Sequence, residues 1–324
     1  MRRAVGLVVV AAVVGAGPLA GAADRDPIEE ARQAAETTPF SGVVSLQWRD
    51  GTVMHTEQVQ VEGADGSFVV RGRRAAMARG SDRLLQEADG WELLWPSSAS
   101  PSSHPAMDPE YQFRAGSGAV VAGHPAHVVE VRKEGVVRDR LYLDDASGLL
   151  LRREQFGEDG TLERALAFDR IAIQETSVTA PPAPGPVTRA VPQPLPGAGL
   201  PFRLAAGYQR QGVFRAGGVL HVIYNDGFSD VSLFEQRGRL DRENLPAHAR
   251  RVVVADLQGW SFAWPGGQAL VWGAGRTVYT LVGDVPSDEL VRVALSVPVH
   301  RTSSVAHRLR QACRSLVEAF NGDL

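Results

Sequence analysis

The stretch from Arg138 to Phe156 constrains this chain more than any other, because it reads as strand, reversal and strand in immediate succession. Leu141 and Leu143 alternate with Arg138, Arg140 and Tyr142, the period-two pattern of a half-buried strand. Asp144-Asp145-Ala146-Ser147-Gly148 then supplies short side chains that bond locally and a glycine that accepts positive φ, so the chain turns back before Leu149-Leu150-Leu151. The chain before this hairpin reads as strands adding to the same sheet. Beyond Gln174 it reads as a linker and a second module.

Asp26-Pro27 opens a helix with Ile28, Ala31, Ala34 and Ala35 on its apolar face, and Thr38-Pro39 ends it. Phe40 to Trp48 continues as a strand with Val44, Leu46 and Trp48 on one face. Further strands are expected at Val53 to Val61, Ser67 to Gly72, Arg83 to Glu87, Gly90 to Trp95, Gly118 to Val131 and Gly160 to Ile173; the serine- and proline-rich Pro96 to Pro109 is a loop. One helix and many strands give an α+β domain built on a large antiparallel sheet, which must curl because a single helix covers only part of one face.

Prolines 181, 182, 184, 186, 192, 194 and 196 mark a semi-extended linker, placed at residues 176–197 between a first domain at 24–175 and a second at 198–324. In the second, His221 to Glu235 reads as a hairpin around Asn225-Asp226-Gly227. Trp260 to Trp264, Gln268 to Trp272 and Thr277 to Val282 continue as a meander. Ser287-Asp288-Glu289 is expected to cap a helix with Leu290, Val293, Ala294 and Val297 inward, and a last helix is expected from Ser304 to Phe320. The single cysteine, Cys313, falls on the apolar stripe of that last helix and reads as core.

Met1-Arg2-Arg3, the apolar run Val5 to Ala16 and the small residues Ala20 to Ala23 read as a cleaved signal peptide over residues 1–23, which sends the chain to a periplasmic or other extracytoplasmic compartment. Cleavage removes two arginines and takes the formal charge from −3 to −5, an acidic mature protein unsuited to a general grip on nucleic acid. Lys133 is the only lysine.

Val121-Ala122-Gly123-His124-Pro125-Ala126, together with Arg140-Leu141-Tyr142-Leu143-Asp144 and Ser147-Gly148-Leu149-Leu150-Leu151-Arg152, resembles the RseB/MucB family of extracytoplasmic regulators of sigma-E-type stress responses. So do the Phe40-Ser41-Gly42 start, the Leu200-Pro201-Phe202 entry, the His221 to Glu235 hairpin and Val282-Gly283-Asp284-Val285-Pro286 before a helix. The chain departs from the family around Tyr208 and in the short Arg237 to Val252 segment. The resemblance implies a curved half-barrel in the N-terminal domain, like that of the lipoprotein carriers LolA and LolB. It also implies a non-enzymatic role: binding the extracytoplasmic domain of a membrane anti-sigma factor, shielding it from proteolysis, and letting go when a lipid or lipopeptide occupies the half-barrel. A lipid or lipoprotein carrier of LolA/LolB type is the alternative, and the second domain, which such carriers lack, speaks against it. Self-association into a homodimer is a further option.

No catalytic constellation emerges. His124 and His127 flank Pro125 at a turn rather than on a helix, Asp144 and Asp145 are turn residues whose side chains diverge, and Gly116-Ser117-Gly118 lacks the spacing of a nucleophile elbow. No cofactor and no metal are expected. The candidate ligand-binding residues are Trp48, Trp91, Leu93, Trp95 and Tyr142, as large apolar walls for a concave surface, with ordinary core packing as the competing reading. Tyr224, Phe228 and Phe234 of the second hairpin are the candidate partner-binding residues.

Overall fold

The computed structural model describes residues 27–64, 67–71, 76–80, 83–87, 107–173, 200–216, 218–243 and 245–298. The expected signal peptide, Trp91, Leu93, Trp95, the proline-rich stretch read as a linker and the expected last helix with Cys313 lie outside the described residues. Among the described residues no helix is long and apolar enough to cross a membrane.

The N-terminal part is helix α1 (Pro27–Thr37), then β1 (Phe40–Asp50), β2 (Val53–Ala64), β3 (Ser67–Arg71), β4 (Ala76–Gly80), β5 (Arg83–Glu87), β6 (Tyr111–Ala115), β7 (Ala119–Val121), β8 (His124–Lys133), β9 (Val136–Asp144), β10 (Leu150–Phe156) and β11 (Leu162–Ile173). They form one antiparallel sheet in the order β5-β4-β3-β2-β1-β11-β10-β9-β8-β6, with β7 paired to the end of β8. The sheet is open and curved rather than a closed barrel, since β5 and β6 stay as separate edges. The Asp144–Gly148 turn forms as expected: Asp144 Oδ2 accepts from Ser147 N at 2.8 Å, and Gly148 takes φ +74°. The expected strand Gly118 to Val131 is instead two strands, because Ala122 and Gly123 take φ of +51° and +87° and reverse the chain between β7 and β8. Helix α1 inserts Ala31 and Ala34 between two apolar clusters of this sheet, one around Phe40, Val44, Leu46 and Phe168, the other around Val131, Leu141 and Leu143.

The C-terminal part comprises β12 (Gln209–Ala216), β13 (Val219–Asn225), β14 (Asp230–Arg237), β15 (Arg250–Val254), β16 (Leu257–Trp264), β17 (Gly267–Ala274), β18 (Thr277–Gly283) and α2 (Ser287–Ser296). Its sheet runs β12-β13-β14-β18-β17-β16-β15. After β14 the chain leaves the sheet, re-enters at the far edge as β15, and returns strand by strand to close against β14. Helix α2 covers one face, with Leu290, Val293 and Ala294 on Val222, Tyr224, Leu233, Leu270 and Leu281. Pro286, not Ser287, is the N-cap residue and has no side chain to cap with.

Candidate functional site

The feature that sets this molecule apart is the seam where one end of the C-terminal sheet meets the N-terminal sheet. Lys133 ends β8 with its side chain almost wholly buried, and its Nζ donates to Asp226 Oδ2 at 2.6 Å and to the Ala206 carbonyl at 2.8 Å, with Glu289 Oε1 at 3.3 Å. The rings of Tyr111 and Tyr208 lie 4.7 and 5.2 Å from the ammonium. Tyr111 donates to Asp226 at 2.7 Å and Tyr208 to Glu289 at 2.9 Å. An ammonium taken out of water is tolerable only with such a set of partners. Burial penalises it, but Asp226 and Glu289 more than offset this, so Lys133 titrates above the usual lysine range. Burial, joined by the two carboxylates, pushes both tyrosines far up, so they remain neutral donors.

Beside this centre Asp284, just after β18, is gripped by Arg153 at 2.6 Å and by Arg164, while Gln155 donates to its carbonyl at 3.0 Å. Burial and the charge of Arg153 lower Arg164 to about 10, which leaves it cationic at neutral pH. Arg138 bonds Asp288 at 2.8 Å. The N-terminal sheet thus presents Lys133, Arg138, Arg153 and Arg164, and the C-terminal part presents Asp226, Asp284, Asp288 and Glu289. The polarity reverses at the margin, where Arg292 meets Glu134 and Arg250 meets Asp50. Glu163 accepts from Ser287 N at 2.7 Å, so the free N-terminus of α2 is capped by the other sheet.

The backbone is shaped for this contact. Gly207 and Gly227, at φ +79° and +93°, lie so close to Asp108 and Met107 that any side chain would collide. Asp226 sits in the Asn-Asp-Gly reversal, where its Oδ1 accepts from Phe228 N and Ser229 N while Oδ2 faces Lys133. A turn aspartate is therefore also the main counter-ion of the seam. The match is incomplete, because Arg138 Nε, Arg164 Nε, Trp264 Nε1 and Asp288 Oδ1 are buried with no hydrogen-bond partner among the described residues. Such a contact fixes orientation more than it adds stability, since paired buried charges recover little beyond their desolvation cost.

The residues singled out from sequence are distributed around this seam. Trp48 is half-buried and stacks on His55 at 5.3 Å; its register row, Trp48–Arg164–Gln155–Asp139, is that of the seam. Tyr142 alternates to the other side of β9 with Arg152 and Glu154, donating to Glu154 at 2.9 Å, so the sheet does not bring Trp48 and Tyr142 together. A void of about 30 Å³ beside Leu46, Leu150, Pro265 and Gly266 is far too small for an acyl chain. Tyr224 is not a surface residue: the alternation that exposes His221 and Ile223 turns its ring into the core under α2, with its hydroxyl on the Pro201 carbonyl at 3.1 Å. Phe228 enters the seam, against Tyr111 at 5.2 Å and with Arg153 over its ring at 5.7 Å. Phe234 stays half-exposed on the opposite sheet face, stacked on His221 at 4.3 Å. His124 faces Asp144 and His127 faces Asp145. Among the described residues no group of His, Cys, Asp or Glu is arranged to hold a metal ion. Sequence reasoning missed the seam; its one visible signal was the lone lysine.

Known structures share this architecture. One described as MucB in complex with MucA(peri) aligns with a TM-score of 0.52 at 20% identity, over 85% of this chain and 98% of that one. The complex of MucA and MucB from Pseudomonas aeruginosa gives 0.51 at 20% identity over the same shares, and MucB alone gives 0.49 at 22% over 84% and 96%. At these identities the first two establish the fold, both sheets included. No curated protein matches the chain. Residues 40–188 match the family model of the MucB/RseB N-terminal domain, and that stretch of the chain belongs to this domain family.

Proposed function

We propose that this protein is an exported, non-enzymatic regulator that binds the extracytoplasmic segment of a membrane anti-sigma factor, protects it from regulated proteolysis, and so restrains an envelope-stress sigma factor. The observation that carries the reading is that the likeness to MucB bound to MucA(peri) spans both sheets rather than the N-terminal one alone. A carrier working through one curved sheet has no use for the second, nor for a seam that holds the two in one orientation. In this reading a lipid or lipopeptide that favours the partner-free arrangement lowers partner affinity, and the partner lowers lipid affinity by the same factor. Of the two described residues of the proposed ligand set, Trp48, on the seam side of the N-terminal sheet, is the better placed to feel such a change.

The test is a protection assay. Purified extracytoplasmic segments of the anti-sigma factors encoded in the same genome are digested by their site-1 protease with and without the mature chain, then with added lipid. The reading requires slower cleavage of one segment, with lipid restoring the rate. Equal cleavage of every segment with and without the chain would contradict it.

A further inference from the structure

The C-terminal sheet carries a second polar feature, separate from the buried charges of the seam. Between Gly238 and Leu240 the chain folds back over the sheet face opposite α2, setting the Leu240 Cβ 3.8 Å from where a side chain on Gly273 would begin. Under and beside this overhang opens a cleft of about 770 Å³. Its rim is Arg239 and Arg242 on the overhang and Arg251 on β15; its floor is Trp260, with Gly259, Gly273 and Gly275 beside it. All three arginines are exposed, and among the described residues no carboxylate pairs with any of them. The arginines of the seam and its margin, by contrast, are paired, as Arg138, Arg153, Arg164, Arg250 and Arg292 are. The nearby Asp241 does not line the cleft, and its Oδ1 is occupied by Glu243 N.

Gly273 keeps the floor bare, since a side chain there would begin 3.8 Å from the Leu240 Cβ. A bare floor admits another backbone. β15 is the last strand of its sheet, so its outer edge offers unpaired backbone groups, and Val253 and Val254 beside Arg251 are 56% and 40% exposed. Two copies of this edge would repel each other through Arg251. An acidic strand would be attracted.

We infer that β15 and the arginine-rimmed cleft bind an extended acidic peptide segment, which adds to the sheet edge through its backbone and places carboxylates on Arg239, Arg242 and Arg251. A phosphate or lipid headgroup suits the site less well. The cations stand on two flanks of the cleft, the overhang and β15, and the exposed valines belong beside a chain. If the proposed function holds, the anti-sigma segment is a natural source of the peptide, but the inference concerns the site and stands apart from that reading.

The probe is a fluorescein-labelled peptide alternating glutamate and valine, with a lysine-valine counterpart, titrated by anisotropy against the mature chain and its Arg239→Ala/Arg242→Ala/Arg251→Ala variant. The acidic peptide should bind, weaken with salt, and lose at least about tenfold in affinity in the variant, while the basic peptide should not bind. Absence of binding, equal binding by the variant, or phosphatidylglycerol vesicles captured through the same arginines in place of the peptide would each overturn it. Because these side chains are exposed and unpaired, the variant keeps its fold, which its thermal transition verifies. Acidic-peptide binding that the variant loses supports this inference even where no anti-sigma segment binds the chain, a result that counts against the proposed function alone; an anti-sigma segment that binds while the acidic peptide does not counts against this inference alone.

Discussion

Lys133 shows what a single residue contributes when both its partners are buried. Removing it leaves Asp226 and Glu289 as uncompensated charges, so Lys133→Ala should lower the unfolding free energy by about 3–5 kcal/mol in urea titrations. Arg250→Ala, which breaks a bond to Asp50 from a half-exposed side chain, should cost less than about 1 kcal/mol. Asp139 gives the seam a pH dependence. Burial, opposed by Arg153, pushes its carboxyl up from 3.8 to about 6, and Glu289 is raised for the same first reason. Between those values the folded chain holds a proton that the unfolded chain has released. This stabilising contribution is complete below about 4 and is lost as pH rises through about 6, of order 2–3 kcal/mol for Asp139. Asp139→Asn should therefore narrow the stability difference between pH 5 and pH 7 measured by urea titration; an unchanged difference would remove Asp139 as its source.

Among the elements, helix α2 depends most on its surroundings. Its N-cap position is a proline, and the bond to its first N–H comes from Glu163 on β11. Glu163→Ala should cost about 1 kcal/mol, and the loss should appear as faster amide exchange in the first turn of α2. The inward face of this helix was legible from its periodicity; its cap was not, because the capping residue is distant in sequence. The same division runs through the strands. β1, β9, β13, β14 and β16 to β18 announced themselves by alternation and by glycine- or aspartate-rich turns. β6 and β12 did not: β6 comes after a proline-rich stretch and only partly covers Tyr111 and Phe113, and β12 mixes Arg210 and Arg215 with a bulge at Gln211. β15 was missed because Arg250 and Arg251 open it and none of its residues is buried.

For the whole molecule, the two-sheet architecture was readable in sequence because it rests on local patterns: hairpins, meanders and a proline-rich stretch between them. The seam was not, because its groups are scattered from Tyr111 to Arg292 and in sequence resemble the solvated charges found on any surface. Tyr224 was misplaced for a related reason, since its strand exposes alternate residues and nothing local says which face α2 will cover. Opposed charge across the seam gives the two sheets one preferred orientation at modest net stability. The central claim is that this arrangement serves to hold a partner. Calorimetric titration of residues 24–324 with the extracytoplasmic segment of each anti-sigma factor from the same genome tests it most directly. The account predicts a dissociation constant of about 1 μM or tighter for at least one segment, near −8 kcal/mol. No measurable heat or complex with any of them would contradict it.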